Sequence, residues 1–542
     1  MKNKFHRNDF SGIISLKSIN LLLFLSLFVF VGCQSSSDPL PYQTPENSTA
    51  ASGRPIVFLS ASDLAAGIRS GTFSSHEVIS AHINHIHKYN PDLNALVVID
   101  EKTTLDRARQ ADEALAAGEL WGPLHGVPVS IKDHFAVKNM RITNAFTPLS
   151  DQVTDFDATI VKRLKNAGAI ILGITNMPVM AMDVQTFNPI YGRTNNPWDL
   201  TRTPGGSTGG GAAAVATGMS PLTIGSDLAG SIRIPAAFCG VYGIKPTENF
   251  VSSYGIFPGL TDKNRRTIRA MASLGPLARS IKDLKLCLSI IAGPDGYDAM
   301  VPAVNMTPKT KPGYKELRIA WSDNFGDVPV SNETRKVLKQ FIDKLSDEGC
   351  TIKKINPADF NFIEVWETWG KMVDLQINVT LPSSARFIMY TLGGIHRSKS
   401  PLLQMVYPAT YDKFIETCSK REILIAHLEQ FLMEWDVFIC PVTTQPAYKH
   451  LEPNDVIFGY NIYDDPIPVD EHQLNYWMAN AAYTAPFNTT GHPAVTIPAG
   501  YSQDGMPIGV QLVGRRWHDM ELLEIAEMID AVAGAYREPA GY

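Results

Sequence analysis

The chain has 542 residues, of which 44% are hydrophobic and 19% charged, and its formal net charge is -6. That apolar content supports a large core and excludes a disordered chain; the length suggests several domains, but single large α/β enzymes reach it too. With a small negative balance and no long run of one sign, nucleic acid is excluded as the default partner.

At the N-terminus, Lys2, Lys4, Arg7 and Lys17 precede the apolar run LLLFLSLFVFV, Leu21–Val31. Eleven residues with Ser26 alone polar suit a signal-peptide core, whereas a spanning helix needs about 20. The run stops at Gly32-Cys33 and a stretch rich in Ser, Pro and Thr follows. This resembles a bacterial lipoprotein signal. Residues 1–32 are therefore expected to be the signal peptide, Cys33 the lipidated residue and 33–54 a flexible linker. The protein is expected to be exported and membrane-anchored, at the periplasmic or outer surface, with an uncleaved short anchor as the alternative. The other cysteines (Cys239, Cys287, Cys350, Cys418 and Cys440) show no CxxC pair and read as thiols rather than a disulfide framework.

From Pro55 the pattern becomes globular. Residues 61–71 and 74–89 have helical spacing, the second with Ser75 as N-cap and Glu77 in its first turn. A longer helix is predicted over 102–117, stopped by Gly118. VPVSIKD (127–133) and AIILGIT (169–175) read as buried strands, with a helix in DATIVKRLKNAG (157–168) between them. Strand, helix, strand is the alternation of an α/β fold around a largely parallel sheet. It recurs in LRIAWS (317–322), VLKQFIDKLSDEG (337–349) and DVFICP (436–441). Residues 294–315 read as a long surface connection, and 357–480, heavy in aromatics and Met, give no clear pattern.

Residues 203–211 read TPGGSTGGG and 224–239 read IGSDLAGSIRIPAAFC. Such glycines permit close backbone approach, and three mechanisms use loops of this kind. A phosphate cradle needs Lys and Ser or Thr directly after the glycines; here Gly211 runs into Ala212, so the cradle is rejected. A nucleophile elbow, G-x-S-x-G, matches Gly205-Gly206-Ser207-Thr208-Gly209, and His492 or His518 comes late enough to serve as its base. The third mechanism rests on a longer match. GPLHGVPVSIKD (122–133), ITNMP (174–178), NNPWDLTRTPGGSTGGGAAAVATG (195–218), SDLAGSIRIPAAFCGVYGIKPT (226–247), LGPLARSIKDL (274–284) and the stretch from NTTGHPAVTIPAG to GMPIGVQLVGR (488–515) cover nearly all of 55–535. In order and spacing they resemble the amidase signature family, which includes fatty acid amide hydrolase, peptide amidase and the A subunit of glutamyl-tRNA amidotransferase.

The resemblance implies one large α/β amidase domain over residues 55–540, with a mixed, mostly parallel sheet covered by helices on both faces. It implies hydrolysis of a linear amide C–N bond, giving an acid and ammonia or an amine through an acyl-enzyme. Matched position by position, Ser231 in AGSIRIP is the implied nucleophile, Ser207 the bridging serine after a cis peptide bond, and Lys132 the base. The backbone N–H groups of Leu228, Ala229, Gly230 and Ser231 are the implied oxyanion hole. Thr208 stands where a second serine is usual, and Ala229 where glycine is usual. The implied substrate is a small-molecule, peptide or lipid amide, no metal or cofactor is implied, and a homodimer stays open.

The chemistry suits these residue types. A serine hydroxyl needs a base, and lysine is a base only when neutral. Its ordinary pKa is about 10.4, and an apolar surround such as Val127, Val129 and Ile131 lowers it. Asp227 and Arg233 read as a structural ion pair. His82, His85 and His87 invite a metal, but only the first two share a helical face and no Cys or Glu completes the set. Trp366, Trp369 and Met372 fit an acyl pocket or core packing equally well. Two other functions stay open. One is an amidotransferase-type subunit releasing ammonia from glutamine, which an export signal disfavours. The other is a non-catalytic binding lipoprotein, which retention of Ser231, Ser207 and Lys132 disfavours.

Overall fold

The computed structural model describes residues 53–258, 268, 270–307, 313–377, 384, 386–387, 390–391, 401–457 and 460–542. The expected signal segment, Cys33 and the expected linker up to residue 52 lie outside the described residues.

A mixed sheet of 11 strands organises the fold. In spatial order it runs Leu96–Val98, Ile170–Thr175, Pro128–Lys132, Leu222–Asp227, Ser273–Ala278, Tyr242–Lys245, Ala494–Tyr501, Pro507–Val513, Val437–Pro441, Arg318–Trp321 and Thr351–Lys354. Two groups are parallel: Pro128–Lys132 with both of its neighbours, and Arg318–Trp321 with both of its own. The other six pairings are antiparallel, so the sheet is mixed but not mostly parallel. Parallel neighbours need a crossover, and the helices Thr159–Asn166 and Asn332–Asp347 supply two of them. The centre instead uses short returns, as where Ala494–Tyr501 turns through Ser502–Met506 into Pro507–Val513, closed by the Ser502 N–H donating to Met506 O at 2.8 Å.

Helices cover both faces. Along Ser273–Ala278, Leu274 and Ala278 join one buried cluster and Leu277 another, as alternation across a strand requires. The first cluster holds Ile131, Ile224, Val495 and Leu512 from the sheet with Leu284, Leu338 and Leu523 from helices, each worth about 1.5–3 kcal/mol when fully buried. The second holds the all-buried helix Gly209–Ala216, whose small side chains let it pack close to the helix Arg233–Cys239.

The predicted helices appear with adjusted ends. Ser74, not Ser75, caps Ser75–Leu93, accepting the Glu77 N–H at 3.0 Å. Asp100 caps Glu101–Ala116, and Gly118 follows it at φ 81°. The helix expected from 337 begins at Asn332, because Ser331 accepts the Thr334 N–H at 3.2 Å. The opaque stretch 357–480 contains the helices Phe362–Ile377 and Tyr411–Glu434. The second leaves Tyr411, Phe414, Ile415 and Ile423 exposed, so its apolar residues form no single stripe to recognise.

Candidate active site

Lys132 ends a strand whose every residue is buried. The strand Leu222–Asp227 runs parallel beside it, with Ile131 opposite Ile224, which brings Ser226 to the lysine. The glycine run closes the other side: the Gly206–Ser207 peptide is cis, and the helix Gly209–Ala216 starts directly after Thr208. Lys132 Nζ lies 2.6 Å from Ser207 Oγ, 3.0 Å from Thr208 Oγ1 and 3.2 Å from Ser226 Oγ. Gly225 permits this approach, since a Cβ there would stand 2.6 Å from Thr208 Oγ1 and Cγ2. Among the described residues no carboxylate bonds to Lys132. Burial pushes its ammonium well below the ordinary value, while the Asp227 charge pulls the other way. Thr208 thus keeps the hydroxyl that a serine would offer.

Beyond Ser226 the chain passes through Leu228–Ser231 into the helix Arg233–Cys239. Asp227 organises that passage. Its carboxylate accepts the N–H groups of Gly230 at 2.8 Å, Ile232 at 3.2 Å and Arg233 at 3.4 Å. It also accepts Arg233 Nε at 3.0 Å and Nη2 at 2.9 Å, with both side chains fully buried. Arg233 further donates to Thr484 O at 3.0 Å and Gln511 Oε1 at 2.8 Å. Burial alone would raise the Asp227 pKa, but the Arg233 charge and these donors hold it well below the usual carboxylate range. The pair is structural, as its sequence position suggested. Gly230 has φ 121°, and a Cβ there would lie 2.5 Å from Thr484 Oγ1, so glycine is required.

The loop is pinned from outside as well. Trp369 Nε1 donates to Leu228 O at 2.8 Å and Thr484 Oγ1 to Ala229 O at 2.6 Å. Of the four expected oxyanion donors, Gly230 already gives its N–H to Asp227, which leaves Leu228, Ala229 and Ser231 as candidates. Ser231 is 7% exposed. Its hydroxyl forms no hydrogen bond among the described residues, while its carbonyl accepts the Thr208 N–H at 3.1 Å. Side chains therefore bring Lys132, Ser207, Thr208 and Ser226 together, and the main chain brings Ser231 beside them. Ser226, Thr484 and the loop contact of Trp369 carry no local sequence signal; only strand pairing and tertiary packing place them.

The competing assignments find other partners. His492 is buried 3.1 Å from Glu429 Oε1, and His518 Nδ1 lies 2.7 Å from Glu521 Oε2; neither ring contacts Ser207 or Ser231, as an elbow would need. His82 bonds Val78 O at 2.8 Å, His85 bonds Thr217 O at 2.6 Å and His87 bonds Glu101 Oε1 at 2.6 Å. Among the described residues no group of three or more His, Cys, Asp or Glu is placed to hold a metal ion. Cys239, Cys287, Cys350, Cys418 and Cys440 are free thiols. Trp366 Nε1 donates to Ala482 O at 3.0 Å, and Trp366 and Met372 lie in the core.

The profile of the family described as Amidase matches residues 77–523. The chain is 32% identical over 487 residues to an acylamidase of Rhodococcus erythropolis, covering 88% of this chain and 96% of that protein. It is 31% identical over 491 residues to the A subunit of the glutamyl-tRNA(Gln) amidotransferase of Alkaliphilus metalliredigens, again covering 88% and 96%. The solved structure of 6-aminohexanoate cyclic dimer hydrolase complexed with substrate matches with a TM-score of 0.72 at 26% identity, covering 89% of this chain and 99% of that one.

Proposed function

Starting from a chain that belongs to the amidase family and is an amide-hydrolysing enzyme, we propose that it works by covalent catalysis on Ser231, with Ser207 as proton relay and Lys132 as base. One observation carries this reading: a buried lysine, held by hydroxyls alone, with its Nζ 2.6 Å from Ser207 Oγ. Neutral Lys132 takes the Ser207 proton as Ser207 takes that of Ser231, and Ser231 Oγ bonds to the amide carbonyl carbon. Backbone N–H groups of the Leu228–Ser231 loop face the oxyanion, an interaction worth roughly 2.7–4 kcal/mol per donor in other hydrolases. Collapse breaks the C–N bond, and the amine leaves with the proton returned through Ser207. Water then enters by the same relay and releases the acid from Ser231.

Ser231→Ala is expected to abolish both hydrolysis and labelling by a fluorophosphonate probe at an unchanged melting temperature. A variant that still labels, alongside a Ser207→Ala that does not, would move the nucleophile to the elbow.

The substrate class we propose is a small-molecule, peptide or lipid amide met at a membrane surface, with the protein tethered through lipid on Cys33. The support is the apolar run that ends at Gly32-Cys33. Among the described residues no helix is long and apolar enough to cross a membrane. Mass spectrometry of the mature N-terminus is expected to find a lipid-modified Cys33; residues 1–32 still attached to an unmodified Cys33 would leave a simple anchor.

A further inference from the structure

A cavity of about 360 Å³ opens between the helix Glu101–Ala116, the segment Val137–Met140 and the entry end of the strand Ile170–Thr175. Pro128 pairs with Ile170 at this end, and Lys132 with Thr175 at the other. Ile170 on its wall is therefore about four residues of strand, roughly 13 Å, from the level of the lysine. Its size falls in the range of small-molecule sites, roughly 300–1,000 Å³. We propose that it is an accessory site for an amphiphilic carboxylate, with the anionic head between Arg107 and Lys138 and the apolar chain over Val137, Met140, Ile170 and Ile171.

The charges on the rim point to the head group. Arg107 lies over the Trp121 ring at 3.7 Å, and its side-chain hydrogen bond goes to the neutral Gln110 at 3.0 Å. Neither Arg107 nor Lys138 has an ion pair among the described residues. Other cations nearby do: Lys165 on the same wall meets Asp157 at 2.8 Å, and Lys102 and Arg109 share Asp106 at 2.7 and 2.6 Å. The one acid on the rim, Asp100, accepts the Thr103 N–H at 3.1 Å and caps the helix. Two uncompensated cations thus face one capping carboxylate, a net positive rim. The Trp121 stack holds the guanidinium in plane, and that fork matches a carboxylate through two parallel hydrogen bonds.

The floor points to the tail. Val137 and Ile170 are buried, while Met140 and Ile171 are only half-buried, so an apolar chain would cover surface that an inorganic anion would leave wet. A carboxylate with an alkyl or aryl tail satisfies both walls; an amine fails at the rim and a small anion at the floor.

The test is calorimetric titration of the full-length protein with octanoate, octanol, octylamine and acetate. Octanoate is expected to bind saturably and the other three about tenfold more weakly or not at all, the difference a lost charge-assisted pair produces. The double variant Arg107→Ala/Lys138→Ala should weaken octanoate about tenfold or more, and Met140→Trp, which fills the floor and keeps both charges, should block it. Amide hydrolysis is expected to be unchanged in both, and melting curves establish that each is folded. Equal binding of octanol and octanoate overturns the proposal. So does octanoate binding that survives the double variant, which would locate it in the catalytic cleft.

Discussion

Two polar clusters, one largely and one fully buried, meet on consecutive residues of one strand and are built on opposite electrostatics. At Ser226 the strand meets Lys132, whose Nζ is surrounded by three hydroxyl oxygens. At Asp227 it meets Arg233, where the charge is paired and every neighbouring donor is oriented to keep it. Burial penalises both charges. In the second cluster a full counter-ion outweighs the penalty; in the first, hydroxyl dipoles do not, and the lysine is driven toward its neutral form. Lys245, also buried, bonds Pro246 O at 3.0 Å and Ser273 Oγ at 3.4 Å and is pushed down to about 7. The Asp227 charge, which acts to keep Lys132 protonated, is committed to Arg233, and that is the arrangement the proposed lysine base needs.

The contrast breaks most visibly in rate. Lys132→Ala is expected to lower kcat on an amide by about 10²- to 10⁴-fold, and less on a matched ester, whose leaving group needs no proton, while the fold persists. In the wild type, kcat/KM should fall as pH drops through the depressed Lys132 pKa, because protonation removes the base. His492→Ala and His518→Ala serve as the comparison: if either costs as much as Lys132→Ala at unchanged stability, the base is a histidine. The other cluster should fail in stability instead. Asp227→Asn leaves Arg233 as an unpaired buried charge and is expected to cost about 3–5 kcal/mol in urea denaturation. Full stability with lost activity would make Asp227 part of the chemistry rather than its support.

These two clusters were unequally legible in the sequence. Lys132, Ser207 and Ser231 sit in runs whose residue order marks them, and Asp227 and Arg233 flank the nucleophile candidate closely enough to suggest a pair. The strands Pro128–Lys132 and Ile170–Thr175 announce themselves by β-branched runs between turn residues. The helix that starts at Ser75 was off by one, because adjacent serines offer the same side chain and only the backbone of Ser74, at ψ 159°, decides which one caps. Sheet direction was misjudged beyond the crossovers, since a buried strand reads alike in either direction. Ser226 was invisible for a different reason. It reaches Lys132 from 94 residues along the chain, and nothing local distinguishes it from any strand serine.

Ser226 also gives the finest test of the contrast. Each hydroxyl around Lys132 accepts from the charged ammonium and so raises its pKa against burial. Removing one should favour the neutral amine. Ser226→Ala is therefore expected to move the acidic limb of kcat/KM to lower pH. A hydrogen bond to a charged group is worth about 1.5–3 kcal/mol net and one pH unit is about 1.4 kcal/mol, so the 3.2 Å contact, long for such a bond, should give a shift of about one unit. Thr208→Val removes the 3.0 Å contact at equal volume and should shift the limb at least as far in the same direction. Ser207→Ala cannot make the comparison, because it removes the relay with the hydrogen bond. The plateau kcat of Ser226→Ala should fall by less than about tenfold, since the hydroxyl tunes the base without carrying a proton. A limb that stays in place, or moves to higher pH, would mean that Ser226 only fills space beside Lys132 and that burial alone sets the lysine.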